Sequence, residues 1–139
     1  MPATRHHSGI AFAPLILVVE DDPFIALDLE ILLRAEGYYV VGPAMSVPSA
    51  LALLEHVDPD AAVLDVNLRD AKVTPVAQEL ARRGVPFVVA SAEAELPLEA
   101  VFEGVPNLGK PTDEVTLVET LTRIIETVTS NKENPPRRR

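Results

Sequence analysis

The apolar pattern begins in earnest at Leu15-Ile16-Leu17-Val18-Val19, a continuous run that stops at Glu20-Asp21-Asp22. A run with no polar face predicts a central parallel strand covered on both sides. Asp22-Pro23 then supplies an N-cap followed by proline at the first helical position; Phe24, Leu27 and Ile31 recur at helical spacing, and Gly37 supplies the stop. The same alternation repeats along the chain. Tyr38 to Gly42 predicts a second strand, Ser46 caps a helix reaching about His56, and Ala61-Ala62-Val63-Leu64-Asp65 predicts a third strand ending on a carboxylate. A polar loop through Asp70 leads to a helix from about Thr74 to Arg83, closed by Gly84. Phe87 to Ala90 predicts a fourth strand and Val105 to Leu108 a fifth, and a last amphipathic helix runs from Asp113 to about Val128.

Strands alternating with helices predict an α/β fold: a doubly wound five-stranded parallel sheet with right-handed crossovers and helices on both faces. Ligands of such sheets gather at the carboxyl ends of the strands. The weakest stretch is Ala92 to Gly104, where Glu93, Glu95, Glu99 and Glu103 repel one another and Pro97 lacks a donor, so a fourth helix should be short or frayed. The folded domain is expected over 14–128, with 1–13 a flexible leader and 129–139 a disordered polar and basic tail. No output domain is expected after it.

Composition narrows the classes of function. Apolar residues at 47% against 24% charged, over 139 residues, describe one globular domain and exclude wholesale disorder. No apolar run approaches the roughly 20 residues that span a bilayer, and Met1 to Pro14 lacks the order of a secretory signal, so a cytoplasmic protein without a membrane partner is expected. The absence of cysteine removes disulfides, thiolate nucleophiles and Cys-based metal sites together. Net charge is −9, and residues 14–128 carry seven basic against twenty acidic residues. Nucleic-acid binding normally needs the opposite sign, because phosphate neutralisation supplies much of the affinity, so no nucleic-acid partner is expected.

The residues closing the strands are polar and specific in type: Glu20-Asp21-Asp22 after the first, Asp65 after the third, Ser91 after the fourth, Gly109-Lys110-Pro111 after the fifth. A doubly wound order sets these four strands side by side. Clustered carboxylates repel one another unless a cation sits among them, and oxygen ligands suit Mg²⁺. A hydroxyl and a lysine beside them complete a phosphoryl site. Singly, each residue has a plainer reading, as helix cap, turn former or loop start. Their joint occurrence, in order on successive strand ends, points to chemistry.

Over about residues 14–128 the chain resembles the receiver domain of bacterial two-component response regulators, a flavodoxin-like (βα)5 fold with strand order 2-1-3-4-5. The resemblance implies that Asp65 is a phosphoacceptor for a sensor histidine kinase or phosphotransfer protein. It implies that Lys110 pairs with the phosphoryl oxygens and that Ser91 swings its hydroxyl onto the same group. Mg²⁺ would be held by Asp21 and Asp65 directly, by Glu20 through a water, and by the backbone carbonyl of Asn67. A downstream protein target would read the change.

Three departures stand out. Asn107 replaces an aromatic that often reports phosphorylation, and Arg69, following Leu68, replaces a usual proline. Pro86-Phe87-Val88-Val89-Ala90-Ser91 resembles the Pro-Phe-x-Phe-Ala-Thr-Gly-Tyr motif of alphaproteobacterial stand-alone receivers but continues Ala92-Glu93. The response is therefore expected as ordering of residues 92–104, a docking face, and not as a rotamer flip.

Other classes fit less well. A Mg²⁺-dependent aspartate-nucleophile phosphatase of the haloacid-dehalogenase kind would close its first strand with Asp-x-Asp, and a toprim-like site would want an acid where Asn67 stands. A receiver-like binding module without phosphotransfer is disfavoured by the full set of site residues. Gly-x-Gly-x-x-Gly, Walker, Gly-x-Ser-x-Gly and His-Glu-x-x-His motifs are absent from the sequence.

Overall fold

The computed structural model describes residues 13–68, 71–92 and 99–133, with side chains through residue 128. Four strands, β1 (Leu15–Val19), β2 (Tyr39–Ala44), β3 (Ala61–Leu64) and β6 (Phe87–Val89), are parallel, as the alternation predicted, and lie in the order β2-β1-β3-β6, which agrees with the order the resemblance implied. Around them run α1 (Pro23–Ala35), α2 (Val47–Leu54), α3 (Thr74–Arg82) and α4 (Glu114–Glu133). A two-stranded hairpin of β4 (Asn67–Leu68) and β5 (Ala71–Lys72) follows β3. Among the described residues no helix is long and apolar enough to cross a membrane.

The central strands have no polar face because both faces are covered. Leu17, Val19 and Leu64 pack with Leu54, Val76 and Leu80 of α2 and α3, while Ile16, Val18 and Val63 pack with Leu29, Leu33, Leu117 and Leu121 of α1 and α4. Each such side chain, fully buried, contributes about 1.5–3 kcal/mol of transfer free energy. Register then fixes the site. Ile16 pairs with Ala61 and Val19 with Leu64, so the residues that follow, Glu20 and Asp65, emerge at one level of the sheet.

The predicted caps are in place. The Asp22 carboxylate accepts the N–H groups of Phe24 at 2.9 Å and Ile25 at 3.2 Å, and the Ser46 hydroxyl accepts Ser49 N–H at 3.2 Å. Asp113 accepts both the N–H and the hydroxyl of Thr116. In α1 the Phe24, Leu27, Ile31 repeat faces outward, with Phe24 78% exposed, and Ala26, Leu29 and Leu33 form the buried stripe. Helix α4 continues past Val128 to Glu133.

Three elements differ from expectation. The fifth strand is reduced to a single parallel bridge, Val89 with Asn107. Pro106 has no N–H to donate and Gly109 turns away at φ +80°, so the ladder stops after one pairing. In the loop after Asp65, expected to be irregular, Leu68 pairs with Ala71 in the β4–β5 hairpin, which the buried Leu68 and Val73 anchor. Strand β2 extends to Ala44 through Gly42. Gly42 has φ +96°, and a Cβ there would lie 2.7 Å from the Ala44 nitrogen and 2.9 Å from the Val18 carbonyl oxygen. Of the stretch expected to be weakly structured, residues 93–98 lie outside the described residues, and Ala100–Phe102 forms one turn of 3-10 helix.

Candidate functional site

Each residue singled out at a strand end sits at the carboxyl edge of the sheet, and the backbone explains why. Glu20 N–H donates to the Ala44 carbonyl, Asp65 N–H to Val19 and Ala90 N–H to Leu64, all at 2.9 Å, so these hydrogen bonds carry the ladders to the strand ends and bring the polar residues to one rim. On the far side, Val89 N–H donates to Pro106 at 2.9 Å and Leu108 N–H to Val89 at 2.7 Å, which brings the Gly109-Lys110 turn against the same rim.

Three carboxylates and one ammonium meet there. Oxygens of Glu20, Asp21 and Asp65 lie within 4.8 Å of one another. Lys110 Nζ lies 3.0 Å from Glu20 Oε1 and 3.0 Å from Asp65 Oδ2, bridging them. The other Glu20 oxygen accepts Asp22 N–H at 3.0 Å, and Asp65 Oδ1 accepts Asn67 N–H at 3.3 Å. Glu20 is 1% exposed and Asp65 7%, whereas Asp21 is half-buried at the mouth.

Burial pushes the Glu20 carboxyl above its ordinary value, a push offset in part by Asp22 N–H and the Lys110 ammonium. Burial also pulls on Lys110, in the downward direction, but its hydrogen bonds and charge pairing with Glu20 and Asp65 outweigh this and raise it above the ordinary lysine value. Lys110 is therefore a fixed positive charge at neutral pH. The cluster still holds three carboxylates to one ammonium. Its donors are hard oxygens with no soft ligand among them, and their excess negative charge matches a divalent cation; the set fits Mg²⁺.

Ser91 is 3% exposed and follows β6. Its N–H donates to Asn107 Oδ1 at 3.3 Å, and the same oxygen accepts Gly109 N–H at 3.1 Å. The structure thus brings Glu20, Asp21, Asp65 and Lys110 into direct proximity, ties Ser91 to the lysine turn through Asn107, and gives Asn67 a backbone contact with Asp65. Asn107 is the residue that sequence reasoning missed, since there it registered only as an absent aromatic. The signal available was an amide side chain two residues before a glycine in a turn, a common local acceptor for backbone N–H.

A groove of about 770 Å³ runs from Lys110 and Pro111 along α1, lined by Ile25, Asp28, Leu29 and Leu32.

Comparison with known proteins agrees with this architecture. Residues 16–126 match the family model of the response regulator receiver domain. The chain is similar to the transcriptional regulatory protein PdtaR of Mycobacterium tuberculosis, with 37% identity over 78 residues, 55% of this chain and 38% of that protein. The chain therefore matches well under half the length of that curated relative. Among solved structures, the solution structure of SdrG from Sphingomonas melonis Fr1 superimposes with a TM-score of 0.70 at 39% identity, covering 81% of this chain and 97% of that one. A CheY-like receiver domain protein from Methanospirillum hungatei JF-1 gives a TM-score of 0.77 at 23% identity over 86% of this chain and 99% of that one, a likeness of fold. Receiver domains are signalling domains and generally not enzymes. From the parallel sheet, the acidic rim with its bridging lysine and the family match over residues 16–126, the chain belongs to the response regulator receiver domain family.

Proposed function

We propose that this protein is a phosphoacceptor of two-component signalling, with Asp65 receiving a phosphoryl group from a phosphohistidine on a sensor histidine kinase or phosphotransfer protein. The observation that carries the reading is the half-buried Lys110 ammonium, 3.0 Å from Asp65, where charge on a transferred phosphoryl group would develop.

In the step, an Asp65 carboxylate oxygen bonds to phosphorus as the phosphorus–nitrogen bond of the donor imidazole breaks. The electron pair of that bond returns to the imidazole, leaving an acyl phosphate on Asp65. Such transfers pass through a loose transition state, so positioning and charge neutralisation matter more than proton transfer. Mg²⁺, when bound, supplies part of that neutralisation, and Asp21 and Asp65 would hold it, with Glu20 through a water and the Asn67 carbonyl completing the set. Lys110 pairs with the phosphoryl oxygens, exchanging its Asp65 contact for them. Ser91 donates its hydroxyl to the same group. The groove along α1 and the exposed Phe24 and Ile31 give a donor protein an apolar foothold beside the acceptor. A downstream protein target reads the phosphorylated state.

Intact-mass measurement after incubation with Mg²⁺ and acetyl phosphate tests the reading. The parent should gain one phosphoryl group and Asp65→Asn none; equal labelling of the two would overturn the assignment of Asp65, and no labelling of the parent with any phosphodonor would favour a binding module without phosphotransfer.

A further inference from the structure

The edge that carries Lys110 pairs with the sheet at one residue, Asn107, and that residue does two different things. Its backbone forms the bridge with Val89, flanked by the hydrogen bonds of Val89 N–H to Pro106 and Leu108 N–H to Val89. Its side chain extends the pairing beyond the point where the ladder stops. The single oxygen Oδ1 accepts Ser91 N–H at 3.3 Å from one segment and Gly109 N–H at 3.1 Å from the other. One of these donors belongs to the residue bearing the hydroxyl, and the other immediately precedes the lysine.

We infer that Asn107 is a positioning residue that locks the Ser91 and Lys110 segments to each other, so that hydroxyl and ammonium keep a fixed spacing about Asp65. This rests on the phosphoacceptor reading above. The argument is geometric. Lys110 reaches Asp65 on a long flexible stem, and Gly109 before it is at φ +80°, so the turn needs an external tie to hold the lysine backbone in place. Ser91 stands at the second position past β6, beyond Ala90, whose N–H still donates to Leu64. A shared acceptor removes the relative freedom of both at once, and a misplacement of about 1 Å at a reacting centre can slow a reaction substantially. An aromatic at this position could accept neither N–H in this way.

The test pairs a structural readout with a chemical one. Asn107→Leu keeps the size and removes the acceptor; Asn107→Asp keeps an acceptor oxygen. In amide hydrogen exchange, Asn107→Leu should speed Ser91 and Gly109 N–H roughly fivefold or more, as loss of a hydrogen bond worth about 1 kcal/mol implies, and Asn107→Asp should restore both. Leu108 N–H, whose acceptor is Val89, should change less; equal acceleration of Leu108 would mean general loosening of the edge and overturn the specific tie. Phosphoryl incorporation from acetyl phosphate with Mg²⁺ should slow by a similar factor in Asn107→Leu, and by a smaller factor in a Ser91→Ala background, where only the lysine is left to misplace. Label in the parent with an unchanged rate in Asn107→Leu would overturn the positioning role alone. Absence of label in the parent would overturn the phosphoacceptor reading and the positioning role with it.

Discussion

Glu20 and Lys110, from the first and last strand ends, meet at 3.0 Å with the Glu20 side chain 1% exposed. Lys110 also lies 3.0 Å from Asp65, so the lysine serves two masters: it compensates a buried carboxylate that faces no solvent, and it stands against the proposed acceptor. Its removal has structural as well as chemical consequences.

Lys110→Ala should therefore destabilise the fold at neutral pH by about 1–3 kcal/mol, because an ionised buried carboxylate loses its charge partner. Adding Glu20→Gln should recover part of the loss. Burial raises the folded Glu20 value above its unfolded one, so the folded state takes up a proton more readily, and the penalty is absent at low pH and grows as pH rises. Urea midpoints of parent and variant should accordingly draw closer on acidification; a constant gap across pH would place the cost elsewhere.

Mg²⁺ should raise the melting temperature of the parent, by the equivalent of about 2.7 kcal/mol at a hundred times its dissociation constant. Asp21→Ala should abolish that shift. In chelator the variant should melt no lower than the parent, since one carboxylate fewer crowds Glu20 and Asp65. Calorimetry showing unchanged Mg²⁺ affinity in Asp21→Ala would move the metal site away from this rim.

Far from the site, hydrogen bonds from Arg82 and Arg83 hold the Glu79 carboxyl down to about 2. Its folded value lies below the unfolded one, so the contribution is full above about pH 4.5 and is lost as pH falls through about 2. Glu79→Gln should flatten the stability profile in that acid window and leave its shape near neutrality unchanged, with an effect that shrinks in salt as surface pairs do. Chemical denaturation at several pH values measures it.

Gly42→Ala should destabilise by about 1–3 kcal/mol, since L side chains are strained at φ +96° and the added Cβ would meet two backbone atoms that cannot swing aside. A thermal melt equal to the parent's would show that β2 can shift its register against β1 at no cost.

Much of this architecture was legible in advance. β1 and β3 announced themselves through uninterrupted apolar runs, and α1 and α2 through the cap chemistry of Asp22 and Ser46, which is local and so visible in one dimension. The gathering of the candidate residues was legible because a parallel sheet delivers all its strand ends to one rim. What failed to show has physical reasons. α1 carries Phe24, Ile25, Leu27, Leu29, Ile31, Leu32 and Leu33, apolar on nearly every side, so helical spacing reveals a helix without saying which stripe is buried. The fifth strand looked sufficient by composition, yet one proline and one positive-φ glycine limit it to a single bridge. The double acceptance by Asn107 follows from tertiary placement and has no period to read.

That single bridge also ranks the parts of the molecule by how readily each comes apart. Glu20 and Asp65 end strands that belong to the innermost ladder, whereas Lys110 and the acceptor amide of Asn107 belong to its thinnest margin. Segments with few backbone ties open at lower free energy than the ladder they border. The rim thus joins two margins of unequal backbone support, and the Lys110 edge should open at lower free energy than the ladder that ends at Glu20 and Asp65. On the phosphoacceptor reading, competence should be lost on heating before the sheet itself melts.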